Sequence, residues 1–270
     1  MGQNPPRTFV TAFAICAALA GCRSIPPVNE RSALSDSLAL PWVAQTVQTA
    51  KYDLRSYTPT QSVASKLTVY IEGDGLAWIT RSRPSHDPTP LNPVALKLAK
   101  AQGNSAAYLA RPCQFVMSTE CSQSDWTAGR FSADVINAMN AGVDLLKRQH
   151  QSQELTLVGF SGGAAVALHL AEMRDDVVKV VTVGGNLDHR RWTDFHRLTP
   201  LHDSLPPARA ARVHQIHFFG ENDQVFPPEL VSEFKREQPG IYVVLPGQGH
   251  SCCWEDAWPE LAQQWLSEVP

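Results

Sequence analysis

The chain has 270 residues, 43% of them hydrophobic, and a formal net charge of −3 at pH 7. This length and apolar content are sufficient for one large hydrophobic core. Because lysine and arginine are not in excess, the composition argues against nucleic acid as a partner.

An early apolar segment is typical of a secretory signal peptide. Arg7 precedes a run of apolar and small residues over 9–20, which is too short for a stable membrane span. The run ends in Leu-Ala-Gly-Cys at 19–22. This string resembles the lipobox of bacterial lipoproteins, in which the peptide is cut before the cysteine and the cysteine is lipidated. The resemblance implies a signal peptide over 1–21 and a membrane anchor at Cys22, with an ordinary signal peptide as the alternative.

The residues after Cys22 bear on location. Arg23, rather than Asp, follows the expected lipidation site. By the sorting habit of bacterial lipoproteins this favours export to the periplasmic face of the outer membrane, provided that the host is Gram-negative. Residues 22–50 are polar and contain proline. We therefore expect a tether of uncertain order that lets a folded domain over 51–270 stand off the membrane.

The pattern of apolar residues predicts alternating strands and helices. Predicted strands lie at 51–57, 66–72, 105–110, 155–160, 177–183, 213–219 and 241–245. Predicted helices lie at 91–102, 130–149, 162–173, 228–236 and 255–268. This alternation predicts an α/β fold with a mostly parallel sheet flanked by helices. The stretch 186–212, rich in His, Arg, Asp and Pro, is a sizeable insertion that would form at most a small cap.

A glycine-rich turn follows the strand predicted at 155–160. It has the sequence Gly-Phe-Ser-Gly-Gly and leads into a helix-prone run. In a Gly-x-Ser-x-Gly nucleophile elbow the serine has a strained backbone, and the residues two positions either side must be small. Gly159 and Gly163 meet that requirement around Ser161. An ordinary glycine-rich turn is the alternative for the string taken alone.

An acid and a histidine follow Ser161 in the chain order that such elbows use. Asp223 lies in the loop after the strand at 213–219, and His250 lies in the loop after the strand at 241–245. Because the carboxyl ends of parallel strands share one sheet edge, we expect these side chains to meet there. Asp188, which also follows a strand, is the alternative acid.

Three motifs resemble those of the α/β-hydrolase family: Gly-Phe-Ser-Gly-Gly at 159–163, Gly-Glu-Asn-Asp-Gln-Val-Phe-Pro at 220–227, and Gly-Gln-Gly-His at 247–250. The resemblance covers about 51–270. It implies an α/β-hydrolase fold with Ser161 as nucleophile, Asp223 as orienting acid and His250 as base.

The implied activity is hydrolysis of a small-molecule acyl substrate, with a carboxylic ester favoured and an acyl-enzyme intermediate. Peptidase, thioesterase and acyltransferase activities would use the same residues. A non-catalytic binding or envelope-scaffold lipoprotein on the same fold is the alternative of a different class.

Two backbone N–H groups should bind the oxyanion that forms during acyl transfer. Gly162, directly after the serine, supplies one, and Asp74, in the turn after the second predicted strand, supplies the other. The sequence departs from the family pattern at Glu72, where His is common. A carboxylate at either acidic position would oppose an oxyanion, so we expect both to point away or be paired, with Arg81 or Arg83 as partners.

Four cysteines remain after the signal segment and the lipidation site: Cys113, Cys121, Cys252 and Cys253. Export would place them in an oxidising compartment, where cysteines pair. The simplest arrangement joins Cys113 to Cys121 and leaves the adjacent Cys252 and Cys253 paired or reduced. Crossed pairs would instead tie the loop near 111–112 to the histidine loop.

No metal or cofactor is expected. His189, His196 and His202 match no recognised metal-ligand spacing. Hydrolysis through Ser161 and its partners requires neither a metal ion nor an organic cofactor. The sequence makes no prediction about oligomeric state.

Overall fold

The computed structural model describes residues 25–60 and 65–266. Its strands are β1 (Val43–Gln48), β2 (Asp53–Thr58), β3 (Lys66–Ile71), β4 (Trp78–Thr80), β5 (Arg83–Pro84), β6 (Ala106–Leu109), β7 (Glu154–Phe160), β8 (Val177–Val183), β9 (His214–Gly220) and β10 (Ile241–Leu245). Its helices are α1 (Val28–Ala39), α2 (Val94–Gln102), α3 (Ala133–Gln149), α4 (Gly162–Met173), α5 (His189–His196), α6 (Pro228–Glu237) and α7 (Trp254–Leu266).

Within the described ranges, eight strands form one sheet in the order β1-β2-β6-β3-β7-β8-β9-β10, and β4 pairs with β5 in a separate ribbon. Neighbours from β6 to β10 are parallel, whereas β1 and β2 are antiparallel additions at one edge. The chain passes from β3 to β6 and then to β7 on the other side of β3. A crevice therefore opens at the carboxyl ends of β3 and β7.

Two apolar clusters pack on the two faces of the sheet. In β3, Leu67, Val69 and Ile71 belong to one cluster and Tyr70 belongs to the other, because successive side chains in a strand point to opposite faces. The first cluster includes buried residues of α3, α4 and α6, and the second includes those of α2 and α7. The predicted fold class, a mostly parallel sheet flanked by helices, is confirmed.

Each strand and helix predicted between 51 and 266 has a counterpart whose ends differ by no more than three residues. The insertion at 186–212 contains the eight-residue helix α5. Its later part contributes Leu201 to the first apolar cluster. The loops after β3, β7, β8, β9 and β10 all lie at the same edge of the sheet, because these strands are parallel.

The expected tether over 22–50 requires correction. Residues 28–39 form α1, and residues 43–48 form β1, which pairs with β2. Ala39 and Trp42 are buried in the second apolar cluster. The sequence pattern missed β1 because it is an edge strand in which Val47 alone is fully buried. An edge strand of this kind shows little hydrophobic periodicity.

The predicted signal peptide and the lipidation site Cys22 lie outside the described residues. Among the helices that are described, none combines the length and the apolar character required to cross a bilayer.

Candidate active site

The chain turns sharply at Ser161, between β7 and α4. Ser161 has φ 51° and ψ −119°, a left-handed φ that costs energy for a residue with a side chain. Its N–H donates a hydrogen bond to the carbonyl of Val183 at the end of β8. The serine therefore occupies the strained position that the Gly-x-Ser-x-Gly string predicts.

The glycines around Ser161 are required by close packing. A Cβ on Gly159 would lie 2.5 Å from the backbone of Ala164, and one on Gly163 would lie 2.3 Å from the carbonyl oxygen of Ile71. Cβ atoms do not approach backbone atoms this closely. Glycine at both positions therefore allows α4 to begin directly against β3.

Two hydrogen bonds connect Ser161, His250 and Asp223. Nε2 of His250 lies 3.1 Å from Oγ of Ser161, and Nδ1 lies 2.9 Å from Oδ2 of Asp223. Because an ionised carboxylate only accepts hydrogen bonds, Nδ1 carries the hydrogen and the lone pair of Nε2 faces the serine hydroxyl. This tautomer can accept a proton from Ser161.

The Asp223 carboxylate is completely buried. Its second oxygen, Oδ1, accepts hydrogen bonds from the N–H groups of Val225 at 2.7 Å and Phe226 at 2.9 Å. Burial by itself would raise the pKa of Asp223. The hydrogen bond and charge of His250, together with the two backbone amides, lower it by more than burial raises it. The pKa therefore lies below its usual value, and the carboxylate is ionised at neutral pH.

Neighbouring residues hold the His250 ring in place. The rings of Phe160 and Phe226 lie 5.2 Å and 5.5 Å from it, centroid to centroid. Gly184 has φ +50°, and a Cβ there would lie 3.2 Å from both Oδ2 of Asp223 and Nδ1 of His250. Gly184 is a site residue that the motifs did not indicate, although a pair of glycines directly after a strand is an available signal.

Asp188, the alternative acid, has a different position. Its Oδ1 accepts hydrogen bonds from the N–H groups of Arg190 at 2.9 Å and Arg191 at 3.1 Å, which caps the N-terminus of α5. The structure thus brings Asp223, and not Asp188, to His250.

The loop after β3 lies against the elbow. A Cβ on Gly73 would lie 3.1 Å from Cβ of Ser161, and one on Gly162 would lie 2.0 Å from Oδ1 of Asp74. The two expected oxyanion donors, Gly162 and Asp74, therefore belong to segments that touch beside the serine. Gly162 is also the first residue of α4, where backbone N–H groups lack partners within the helix.

Glu72 is 1% exposed, and its Oε1 accepts a hydrogen bond from the N–H of Gly73 at 3.0 Å. Burial raises the pKa of Glu72, and hydrogen bonds from the amides of Gly73, Ala95 and Leu96 and the hydroxyl of Tyr108 lower it by a smaller amount. The net result is a pKa of about 7. Since two of these amides belong to the first turn of α2, the Glu72 carboxylate lies near that helix.

Asp74 is paired, but the predicted partners are wrong. Its Oδ2 contacts Nη1 of Arg130, and its Oδ1 lies 3.4 Å from Nη1 of Arg111. Arg81 and Arg83 lie at the hairpin formed by β4 and β5, where Arg81 donates to the last carbonyl of α5. The hairpin thus holds Arg81 against α5 and not against Asp74.

The structure pairs Cys113 with Cys121 and Cys252 with Cys253. This is the simplest of the arrangements that the sequence allows, and the second pair begins two residues after His250. In the described part of the chain, no group of three His, Cys, Asp or Glu side chains is arranged to hold a metal ion.

Two depressions open near the site. A cleft of about 220 Å³ is lined in part by Ser161, His250 and Asp74. A larger groove of about 530 Å³ has a mostly apolar wall that includes Trp78 and Trp192. The groove also reaches Gln224 and Val225, the residues that directly follow Asp223.

Comparison with proteins of known structure identifies the fold. No protein-family model and no curated protein matches the sequence. An α/β serine hydrolase homologue from Coxiella burnetii has 19% identity and a TM-score of 0.55 over 84% of this chain and 97% of its own. A carboxylesterase from Bacillus subtilis has 14% identity and a TM-score of 0.59 over 90% and 98%, respectively.

A Pyrococcus furiosus esterase has 17% identity and a TM-score of 0.56 over 86% of this chain and 94% of its own. The chain has the α/β-hydrolase fold. At these sequence identities, the similarity shows a shared fold and does not by itself show a shared activity. In this α/β-hydrolase fold, the loops that carry Ser161, Asp223 and His250 follow β7, β9 and β10.

Proposed function

We propose that this protein is a serine hydrolase that cleaves carboxylic esters through a triad of Ser161, His250 and Asp223. The observation that carries the proposal is the pair of hydrogen bonds from Ser161 Oγ through His250 to Asp223, at 3.1 Å and 2.9 Å. The strained φ of the serine and the ionised, buried acid support it.

In the proposed reaction, Oγ of Ser161 attacks the acyl carbon while Nε2 of His250 takes the hydroxyl proton. The tetrahedral intermediate collapses, the ester C–O bond breaks, and His250 returns the proton to the leaving alcohol oxygen. A water molecule then attacks the acyl-enzyme, with His250 again as base, and the acid and the free serine are released. Asp223 maintains the histidine tautomer and stabilises its protonated form.

The N–H groups of Gly162 and Asp74 are the proposed oxyanion donors. Support comes from the contact between the two segments beside Ser161 and from the position of Gly162 at the start of α4. Donors that are in place before the reaction stabilise the charge that develops on the acyl oxygen at little reorganisation cost.

An ester substrate is proposed because solved structures that share the fold include an esterase and a carboxylesterase. The cleft of about 220 Å³ that contains Ser161 and His250 is also lined by Leu76, Leu91 and Phe160, which supports an apolar acyl group. Peptide, thioester and acyl-transfer reactions use the same groups and are outcomes to be tested.

The deciding experiment treats the purified full chain, in mild detergent, with a fluorophosphonate probe and maps the adduct by mass spectrometry. Hydrolysis of p-nitrophenyl esters of graded chain length is measured in parallel. Labelling at Ser161 together with ester turnover supports the proposal. A folded chain that neither labels nor turns over would favour a non-catalytic binding or envelope-scaffold protein.

We also propose that the protein is exported and anchored through a lipid on Cys22. The proposal rests on the Leu-Ala-Gly-Cys string at 19–22 after an apolar run. Metabolic labelling with a clickable fatty acid in a Gram-negative host should mark the wild-type chain and leave Cys22→Ser unmarked. Equal labelling of both chains would contradict the anchor, and membrane fractionation would test the outer-membrane location.

A further inference from the structure

A carboxylate lies beside the proposed oxyanion donors, and two buried arginines contact it. Oδ1 of Asp74 is 2.0 Å from the position that a Cβ on Gly162 would occupy, so the carboxylate packs directly against Gly162. The side chains of Arg111 and Arg130 are each 5% exposed, and both contact Asp74. One negative and two positive charges therefore share a mostly buried site next to the serine.

The two arginines are also held by contacts other than the carboxylate. Nη2 of Arg111 donates to the carbonyl of Arg130, and Nε of Arg130 donates to the carbonyl of Thr127 at 2.7 Å. The guanidinium of Arg111 lies 5.3 Å from the ring centroid of Phe131, and that of Arg130 lies 6.0 Å from a ring centroid of Trp192. Their positions are therefore set by the surrounding fold.

The charge on Asp74 bears directly on the proposed chemistry. Burial by itself would raise the pKa of Asp74. The charges of Arg130, Arg111 and His250 lower it by more than burial raises it, so the pKa lies below its usual value. Burial also lowers the pKa of Arg111 to about 10, which leaves it protonated at neutral pH. An ionised Asp74 without its partners would oppose the negative charge that forms on the acyl oxygen.

We propose that Arg111 and Arg130 are positioning residues that offset the charge of Asp74 and hold its loop. The Asp74 N–H can then donate a hydrogen bond to the oxyanion. The inference rests on the proposed hydrolase function. The two positive charges accommodate an acidic residue beside the nucleophile, where a carboxylate alone would be unfavourable. Both arginines act through Asp74.

The test is a double-mutant cycle of Arg130→Gln and Asp74→Asn in the full chain, measured by steady-state ester hydrolysis. Arg130→Gln should lower kcat by about 10- to 100-fold with KM changed by less than about twofold, because the oxyanion exists only after attack. Adding Asp74→Asn should restore kcat to within about threefold of the Asp74→Asn enzyme, since the charge that Arg130 offsets together with Arg111 is then gone.

Asp74→Asn supplies the reference for the cycle, because asparagine keeps the shape and the backbone N–H of residue 74 while removing its charge. The matched control is Arg83→Gln, an exposed arginine at the β4–β5 hairpin, which should leave kcat unchanged. A merely structural role for Arg130 would not be rescued by removing a charge at Asp74. Circular dichroism and thermal melting establish that each variant is folded.

Two results would overturn the inference while leaving the hydrolase proposal intact: no rescue of folded Arg130→Gln by Asp74→Asn, or an unchanged kcat in folded Arg130→Gln. If Arg130→Gln does not fold, the same cycle is measured with Arg111→Gln, because Arg111 contacts the other carboxylate oxygen of Asp74. A folded wild type without probe labelling or ester turnover would overturn both proposals together.

Discussion

Asp188 and Asp223 follow the neighbouring strands β8 and β9, yet the Asp223 carboxylate lies 2.9 Å from Nδ1 of His250 while the Asp188 carboxylate caps α5. Two acids of similar sequence context therefore have different positions and hydrogen-bond partners. The difference arises because the chain enters helix α5 directly after Asp188. After Asp223 the chain forms a turn in which the N–H groups of Val225 and Phe226 donate to Oδ1 of Asp223, and Oδ2 faces His250.

Substitution of the two acids should separate these functions. Asp223→Asn should lower kcat by about 10⁴-fold, because an asparagine amide favours the wrong histidine tautomer. Asp188→Asn should leave kcat unchanged and reduce the free energy of unfolding by less than about 1 kcal/mol, since asparagine also caps helices well. Ester kinetics and urea unfolding of both variants are the measurements. The opposite pattern of activity loss would make Asp188 the acid.

Ser161→Ala should remove probe labelling and lower ester turnover by at least about 10⁴-fold, because the attacking oxygen is lost. Its unfolding free energy should remain close to that of wild type or rise, since alanine removes a hydroxyl from a partly exposed position. His250→Ala should give a comparable loss of turnover. Substantial turnover by folded Ser161→Ala would place the nucleophile elsewhere.

Gly163→Ala should disturb the elbow. The added Cβ would lie 2.3 Å from the carbonyl oxygen of Ile71, so α4 must move away from β3. We expect a loss of about 1–3 kcal/mol in unfolding free energy, together with reduced probe labelling. Gly249→Ala is the matched control, because its Cβ would meet no atom closer than 3.9 Å. Equal unfolding midpoints in urea for Gly163→Ala and wild type would contradict the steric argument.

Glu72 should make stability depend on pH. Burial raises its pKa to about 7 in the folded protein, well above the value of about 4.3 expected for an unfolded chain. Between these values the folded state keeps a proton that the unfolded state has lost, so this group lowers stability as pH rises from about 4.3 to 7. The contribution is fully present below that window and lost above it.

Glu72→Gln cannot titrate, so its stability relative to wild type should be more favourable at pH 8 than at pH 4. The expected difference is about 3–4 kcal/mol at most, from the difference between the folded and unfolded pKa values. Urea unfolding of both proteins at the two pH values measures it, with Glu260→Gln on the exposed side of α7 as control. A pH-independent difference for Glu72→Gln would show that Glu72 has an ordinary pKa.

Local pattern was sufficient for most of the secondary structure. The strands at 155–160 and 177–183 are short, buried and rich in β-branched residues, so their apolar runs alone indicate them. β1 was missed because its exposed polar residues conceal the pattern of an edge strand. The pairing of β1 with β2, and not its composition, makes it part of the sheet.

Chain order and turn chemistry were sufficient to predict that Ser161, Asp223 and His250 lie at the carboxyl edge of the sheet. The glycines of the elbow and the loops after parallel strands are local features, so the sequence alone indicates them. Tertiary structure alone decided which charges meet. Asp74 pairs with Arg111 and Arg130, which are 37 and 56 residues away, and not with the nearby Arg81 or Arg83. Periodicity reports which face of an element is buried, whereas side-chain pairing between distant loops depends on how the sheet and helices bring those loops together.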